Sequence, residues 1–407
     1  MPHRHDPLPS WYPWLVLATG TAGVYAALGL ARFGYSVVLP PMQGALGLDN
    51  AEAGWLASAN LVGYLLMALL GGALASRHGA RVVVTGGLVL VSFGMVMTGF
   101  SRGFADAALW RFVTGVGSGA ANVAIMGMWA GWFPRQRRGL AAGIAVTGSA
   151  FAMITTGPLV PYVITLKGGE GWRYAWEIFA LLSFVPALLS WVVIRGEGRV
   201  VDLASPYGGE LTPPEPENGS WQTVLRSPVA WHLGVVYIAF GFSYIIYMTF
   251  FVKHLISAGG YDRVAAGRLF TLIGWSCLFF SFFWGWLSDR IGRRRAMATV
   301  SLIHAAAFTL FGTGTTPLYF AASAMLYGAT AFSIPAIMAA ACGDLFGRRL
   351  ASTAIGFVTL LFGIGQAVAP GIAGVIADQS GSFSPAFLLA AAVALLGAVG
   401  AWTLRDG

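Results

Sequence analysis

Gly72-Ala-Leu-Ala-Ser-Arg-His-Gly-Ala-Arg81 returns in outline as Gly285-Trp-Leu-Ser-Asp-Arg-Ile-Gly-Arg-Arg294. From 72 to 285 is a step of 213 residues. The same step joins Asp49 to Asp262, Gly54 to Gly267, Gly115 to Gly328, Phe133 to Phe346 and Gly143 to Gly356. Six anchors at one spacing, spread over most of each half, mark an internal repeat. Both decapeptides close a long apolar run and open another, so the repeating unit is a set of membrane spans.

Composition points the same way. Of the 407 residues 57 % are hydrophobic and only 10 % charged, against about 25 % charged in a soluble domain. The apolar runs approach the roughly 20 residues that a helix needs to cross a bilayer. Twelve spans are expected, near 14–41, 54–75, 82–100, 107–133, 139–165, 173–195, 229–255, 265–287, 297–313, 317–342, 351–377 and 384–404. The longest polar interval, residues 196–227, carries Pro206, Pro213, Pro214 and Pro216 with Glu210, Glu215 and Glu217, and reads as a cytoplasmic linker between halves 1–195 and 228–407. The expected fold is an all-α membrane protein of twelve transmembrane helices in two homologous six-helix bundles.

With the N-terminus inside, sixteen arginines, among them Arg77, Arg81, Arg290, Arg293 and Arg294, fall on the cytoplasmic side. Arg102, Lys167, Arg173 and Arg263 fall on the other. That asymmetry predicts a multi-pass protein of a bacterial inner membrane with both termini cytoplasmic. The first apolar run is too long for a cleaved signal peptide, so the N-terminus is expected to be retained.

Cys277 and Cys342 fall inside apolar runs and imply no disulfide framework. Gly-x-Ser-x-Gly, His-Glu-x-x-His, Cys-x-x-Cys and a phosphate-binding Gly-x-x-x-x-Gly-Lys do not occur. Gly115-Val-Gly-Ser-Gly-Ala120 fits a dinucleotide fingerprint, yet it lies within a span and follows no strand. Close helix packing through small residues accounts for it better. No enzyme activity, cofactor, metal site or nucleic-acid partner is expected; the excess of 24 Lys+Arg over 16 Asp+Glu belongs at the membrane edges.

Over essentially its whole length the chain resembles the Major Facilitator Superfamily. Gly285–Arg294 is similar to the family's loop motif, Gly-x-x-x-Asp-Arg-x-Gly-Arg-Arg, and the first-half copy has Ser76 before Arg77 where Asp is usual. Arg111-Phe-Val-Thr-Gly-Val-Gly-Ser-Gly119 is similar to its fourth-helix motif. Thr147-Gly148 to Gly157-Pro158 resembles part of an antiporter motif, with Met153 in place of a glycine. The resemblance implies secondary active transport by alternating access, with spans 1, 4, 7 and 10 around a central cavity. It also implies a gate in which Asp289, flanked by Arg290 and Arg293, caps a helix N-terminus near Gly139–Ala142. Ser76 would then give a weaker mirror latch near Ala351–Thr353. The alternative is that Asp289 and the arginines only set topology.

An ionisable group at the centre of a span costs about 2.5–3.5 kcal/mol on insertion scales. No acid lies mid-span, but Arg32 lies within span 1. Helical spacing places Tyr25, Arg32 and Ser36 on one stripe, Tyr237, Tyr244, Tyr247, Phe251 and His254 on span 7, and Arg111, Ser118, Asn122 and Trp129 on span 4. A guanidinium without a carboxylate neighbour suits a carboxylate brought by a substrate. Arg32, Tyr25, Ser36, Asn122, Trp129, Tyr244 and Tyr247 are therefore the candidate binding residues. A structural arginine bonded to carbonyls, and tyrosines that merely pack, are the competing readings. Arg111 is read as a gate charge or a snorkelling side chain, Arg268 as a rim charge, and Lys253 as an interfacial anchor.

Carrying an anion inward against the membrane potential costs about 2.3 kcal/mol per 100 mV, so a co-transported proton is expected. His254 is the candidate proton site, with a plain interfacial histidine as the alternative. The expected partners are a small anionic substrate, protons and the lipid bilayer, and a monomer suffices. An exporter of neutral or lipophilic compounds, and a transporter-like receptor that moves nothing, remain as rivals.

Overall fold

The computed structural model describes residues 9–194, 221–280 and 283–404, and no strand occurs among them. Residues 196–220 of the expected linker, and Arg4, Arg195, Arg199 and Arg405, lie outside the described residues. The first half runs α1 (Tyr12–Leu46), α2 (Asn50–His78), α3 (Ala80–Gly99), α4 (Phe104–Trp132), α5 (Arg135–Lys167) and α6 (Gly171–Val193). The second runs α7 (Pro228–Ser257), α8 (Arg263–Phe280 continuing as Phe283–Ile291), α9 (Arg293–Thr313), α10 (Pro317–Gly347), α11 (Thr353–Ser380) and α12 (Ser384–Trp402). Eleven stretches are long and apolar enough to cross a membrane; one of them, Arg137–Val193, holds both α5 and α6 around the turn Gly168–Glu170. Twelve crossings result, as the apolar runs predict.

The repeat is written into the backbone. Three of the chain's left-handed glycines in each half pair at 213 residues: Gly47 (φ +64°) with Gly260 (φ +69°), Gly79 (φ +82°) with Gly292 (φ +89°), and Gly168 (φ +61°) with Gly381 (φ +71°). Each pair turns the chain at equivalent corners, where a side chain would be strained. Asp49 accepts the N–H of Glu52 at 2.7 Å and Asp262 that of Ala265 at 2.7 Å, matching N-caps on α2 and α8.

Glycines also set the packing. A Cβ on Gly115 would lie 1.9 Å from the Asn60 carbonyl oxygen, one on Gly117 2.6 Å from that of Gly87, and one on Gly119 2.5 Å from that of Tyr64. The run that mimics a dinucleotide fingerprint therefore seats α4 backbone to backbone against α2 and α3.

The halves meet along two seams related by the repeat. Gly54 of α2 would place a Cβ 2.1 Å from the Pro370 carbonyl oxygen of α11, and Gly267 of α8 would place one 2.2 Å from that of Gly157 of α5. Both seams lie toward the end opposite the arginine-rich corners. There Asp378 of α11 accepts the backbone N–H of Asn50 (3.0 Å), its Nδ2 (2.8 Å) and the N–H of Ala51 (2.8 Å), capping α2 across the interface. At the arginine-rich end Gly72, Gly139, Gly285 and Gly343 face open space. The tight seams between the halves thus close the end opposite the arginines.

Candidate functional site

Arg32 is carried on a π-helical segment, Tyr25–Phe33, inserted into α1. Such insertions widen the turn and re-aim the side chains on it. α1 can bend there because Gly148 of α5 lets it approach to contact: a Cβ on Gly148 would sit 2.3 Å from the Thr21 carbonyl oxygen. Arg32 Nη1 donates to Oε1 of Gln366, from α11 of the other half, at 3.2 Å. Tyr244 OH donates to the same oxygen at 2.5 Å. The Arg32 guanidinium lies 4.3 Å from the ring centroid of Tyr64, whose hydroxyl accepts from Asn122 Nδ2 at 2.9 Å. Arg32 Nε and Nη2 are buried with no hydrogen-bond partner.

On the closed side of Arg32 a cavity of about 10 Å³ separates it from Arg111, lined also by Tyr35, Asn60, Ile245 and Thr249. That is room for about one water. No acid lines it.

Tyr244 ends an aromatic shelf. Tyr237, Phe240, Tyr244 of α7 and Phe362 of α11 stack nearly parallel, at 4.4 to 6.0 Å between ring centroids. An apolar body anchored beside Gln366 would meet ring faces and edges.

The sequence candidates divide. Arg32, Tyr244 and Asn122 are brought together. Ser36 is buried one turn on, its hydroxyl without a partner. Tyr25 lies beside Thr155 of α5, two turns from Arg32. Trp129 is not at this site: it packs on Gly20 and Phe133, and Gly20 lies about 18 Å along α1 from Arg32 at 1.5 Å per residue. Tyr247 turns into its own half, donating to or accepting from Ser323 Oγ at 2.7 Å amid Phe251, Phe308, Phe311 and Tyr327.

Arg111 does not snorkel. It is 1 % exposed, Nη1 donates to the Ala31 carbonyl at 2.6 Å, and the guanidinium lies 4.7 Å from the Tyr35 ring and 5.1 Å from that of Trp176. His254 is enclosed by Phe311, Phe320 and Phe387, with Nε2 3.2 Å from the Phe311 carbonyl oxygen, ten residues from Tyr244 along α7.

Among the motif residues, Asp289 is 65 % exposed and pairs with Arg293 at 2.5 Å, and Arg293 also binds Asp344 at 3.0 Å. In this conformation Asp289 faces its own helix end, not Gly139–Ala142, where Gly139 is open. Arg290 lies over Trp286 at 4.1 Å. Ser76 Oγ donates to the Ala73 carbonyl of its own helix, and Arg77 is exposed. Arg268 is exposed on α8, and Gly157 is buried in the seam with Pro158 turned outward.

Gln366, Tyr64 and Phe362 escaped the sequence reading. They sit on α2 and α11, outside the four helices expected around a cavity. The available signal was an amide, Gln366, in an otherwise apolar run.

A family profile described as "Uncharacterised MFS-type transporter YbfB" matches residues 24–401. The chain is 24 % identical over 388 residues to a hexuronate transporter of Bacillus subtilis, covering 90 % of this chain and 88 % of that one. It is 24 % identical over 408 residues to a probable sulfoacetate transporter of Cupriavidus necator, covering 92 % and 90 %. Its fold is similar to the inward-facing, unoccupied crystal structure of a bacterial homolog to the human lysosomal transporter Spinster, with TM-score 0.75 and 16 % identity over 97 % of this chain and 99 % of that one. With the twelve-helix repeat and the loop motif, the match over nearly the whole length places the chain in the Major Facilitator Superfamily of transporters, of the MFS type that the profile describes.

Proposed function

We propose that the chain is a secondary active carrier of a small organic anion, whose carboxylate is received by Arg32. The observation that carries this reading is the half-served guanidinium: two buried nitrogens of Arg32, Nε and Nη2, lack acceptors, the third donates to a neutral amide, and no acid is among the described residues that touch it. A buried charge left in this state is costly unless a partner arrives. A carboxylate offers the bidentate acceptor that Gln366 does not. The aromatic shelf ending at Tyr244 suits an apolar or ring-shaped remainder.

The relatives named for hexuronate and sulfoacetate support a carboxylate-bearing cargo. The arginine-rich end is assigned to the cytoplasm of a bacterial inner membrane by the positive-inside rule, which puts the closed end on the outer side. Uptake of a monoanion then profits from one proton carried with it, because the cycle becomes electrically neutral.

The test is reconstitution in liposomes holding a pH dye, challenged with a panel of small carboxylates, with Arg32→Gln and empty vesicles alongside. A protein-dependent pH change lost in Arg32→Gln is expected. A response equal in wild type and variant removes Arg32 from recognition, and no response from wild type with transport of neutral lipophiles replaces this reading with the exporter.

A further inference from the structure

Between α3 and α6 an acid faces the lipid. Glu177 lies six residues into α6, about 9 Å along the helix axis from Gly171 at 1.5 Å per residue. It is half-buried and lines a groove of about 360 Å³ together with Val89, Ser92, Phe93, Leu181 and Phe184. Val89, Phe93, Leu181 and Phe184 are exposed, so the groove opens on the lipid-facing surface of the first half. The two helices run antiparallel, and a Cβ on Gly99, the last residue of α3, would lie 3.2 Å from the Arg173 carbonyl oxygen. Glu177 therefore marks the end of the groove nearest the membrane surface, and Val89 and Phe184 mark the end toward the midplane.

Ionisable side chains within spans almost always face the bundle interior or pair with one another. Glu177 does neither. Arg173, four residues earlier at the spacing of a helix ion pair, is engaged elsewhere: Nε donates to Glu170 Oε2 at 2.6 Å, and Nη1 donates to the carbonyls of Gly99 at 2.6 Å and Ser101 at 2.8 Å. Among the described residues no cation pairs with Glu177. Ser92, the second polar residue of the groove wall, is buried with its hydroxyl unpartnered.

We propose that the groove holds a phosphatidylethanolamine, its ammonium on the Glu177 carboxylate and an acyl chain along Phe93, Leu181 and Phe184. Side chains on a helix lean toward its N-terminus, which for α6 is the membrane surface. The carboxylate thus reaches toward headgroup level while the apolar wall runs down from it, the order in which a lipid of that leaflet carries its head and tail. One negative charge without a protein partner selects a cationic head. A primary ammonium brings three N–H donors to it, and a quaternary one brings none. At the edge of the hydrocarbon such a pair is screened less than in water. The proposal is independent of the transported substrate.

The full chain, purified in detergent and stripped of lipid, is melted with phosphatidylethanolamine, phosphatidylcholine or phosphatidylglycerol of the same acyl chains. Phosphatidylethanolamine is expected to raise Tm more than either of the others, and Glu177→Gln to remove half or more of that excess. Val89→Trp, which fills the groove and leaves the carboxylate in place, should do the same. Phe279→Ala, at an exposed position of α8 in the other half, should keep the excess. Equal shifts with phosphatidylethanolamine and phosphatidylcholine, a larger shift with phosphatidylglycerol, or a full excess in either groove variant would overturn the proposal. So would a dimer of the lipid-free protein that Glu177→Gln dissociates, which would give the groove to a second copy of the chain. Should Glu177→Gln not fold, Val89→Trp decides alone.

Discussion

Arg32 of the first half and Gln366 of the second are joined by one hydrogen bond, Nη1 to Oε1 at 3.2 Å, across 334 positions of sequence. Tyr244 converges on the same oxygen. The amide oxygen thus ties the two halves together, and under the proposed function it is the stand-in for a substrate carboxylate oxygen.

Gln366→Glu supplies a built-in carboxylate to both donors. Charge-assisted hydrogen bonds are about twice as strong as neutral ones, so the internal pair should outcompete a substrate. Carboxylate binding is expected to weaken by about tenfold or more, the equivalent of roughly 1.4 kcal/mol, with the melting temperature unchanged or raised. Titration of purified protein with a transported carboxylate measures it, and unaltered affinity counts against the surrogate role.

Gln366→Leu removes the competitor without adding a charge. Affinity for the carboxylate should rise several-fold, since Arg32 no longer surrenders an acceptor on binding. The same titration reads the outcome, and weaker binding would mean that Gln366 contacts the substrate directly.

Asp378 caps α2 from the opposite half, accepting from Asn50 and Ala51. Asp378→Ala should loosen the closed end and shift the population toward its opening. The site is exposed, where ion and dipole interactions are screened, so a few-fold shift is expected. Spin labels placed at the ends of α2 and α11 would report it as a longer distance component that grows in the variant.

The seams give a contrast between glycines. Gly54→Ala and Gly267→Ala push a methyl into a carbonyl oxygen at 2.1 and 2.2 Å, so the halves must part. Overpacking of this kind costs about 1–3 kcal/mol. Gly72→Ala and Gly285→Ala enter open space in this conformation. The first two should lower Tm and open the closed end to a membrane-impermeant thiol reagent aimed at an engineered cysteine there, while the second two should leave both unchanged.

The repeat was legible because its anchors do local work: Asp49 and Asp262 cap helices, and Gly79 and Gly292 turn corners in the left-handed region. Span number followed from apolar run length. Of the residues gathered at the candidate site, the sequence pointed to Arg32, Tyr244 and Asn122. The seven-residue step from Tyr25 to Arg32 assumes an α-helix, whereas the π-helical segment between them breaks that register. Trp129 and Tyr247 lie on the right helices, but periodicity does not say which side of a stripe meets its own half and which meets the other. Gln366 pairs with a residue of another helix in another half, and that juxtaposition is a property of bundle docking, which no local pattern records.

Counterflow of a labelled small carboxylate into proteoliposomes, preloaded with the unlabelled compound, tests the arginine-centred account most directly. Wild type should exchange label, Arg32→Gln should fall to the level of protein-free vesicles, and Tyr25→Phe, two turns away, should exchange as wild type does. Exchange by Arg32→Gln at the wild-type rate would contradict the claim that Arg32 receives the anion.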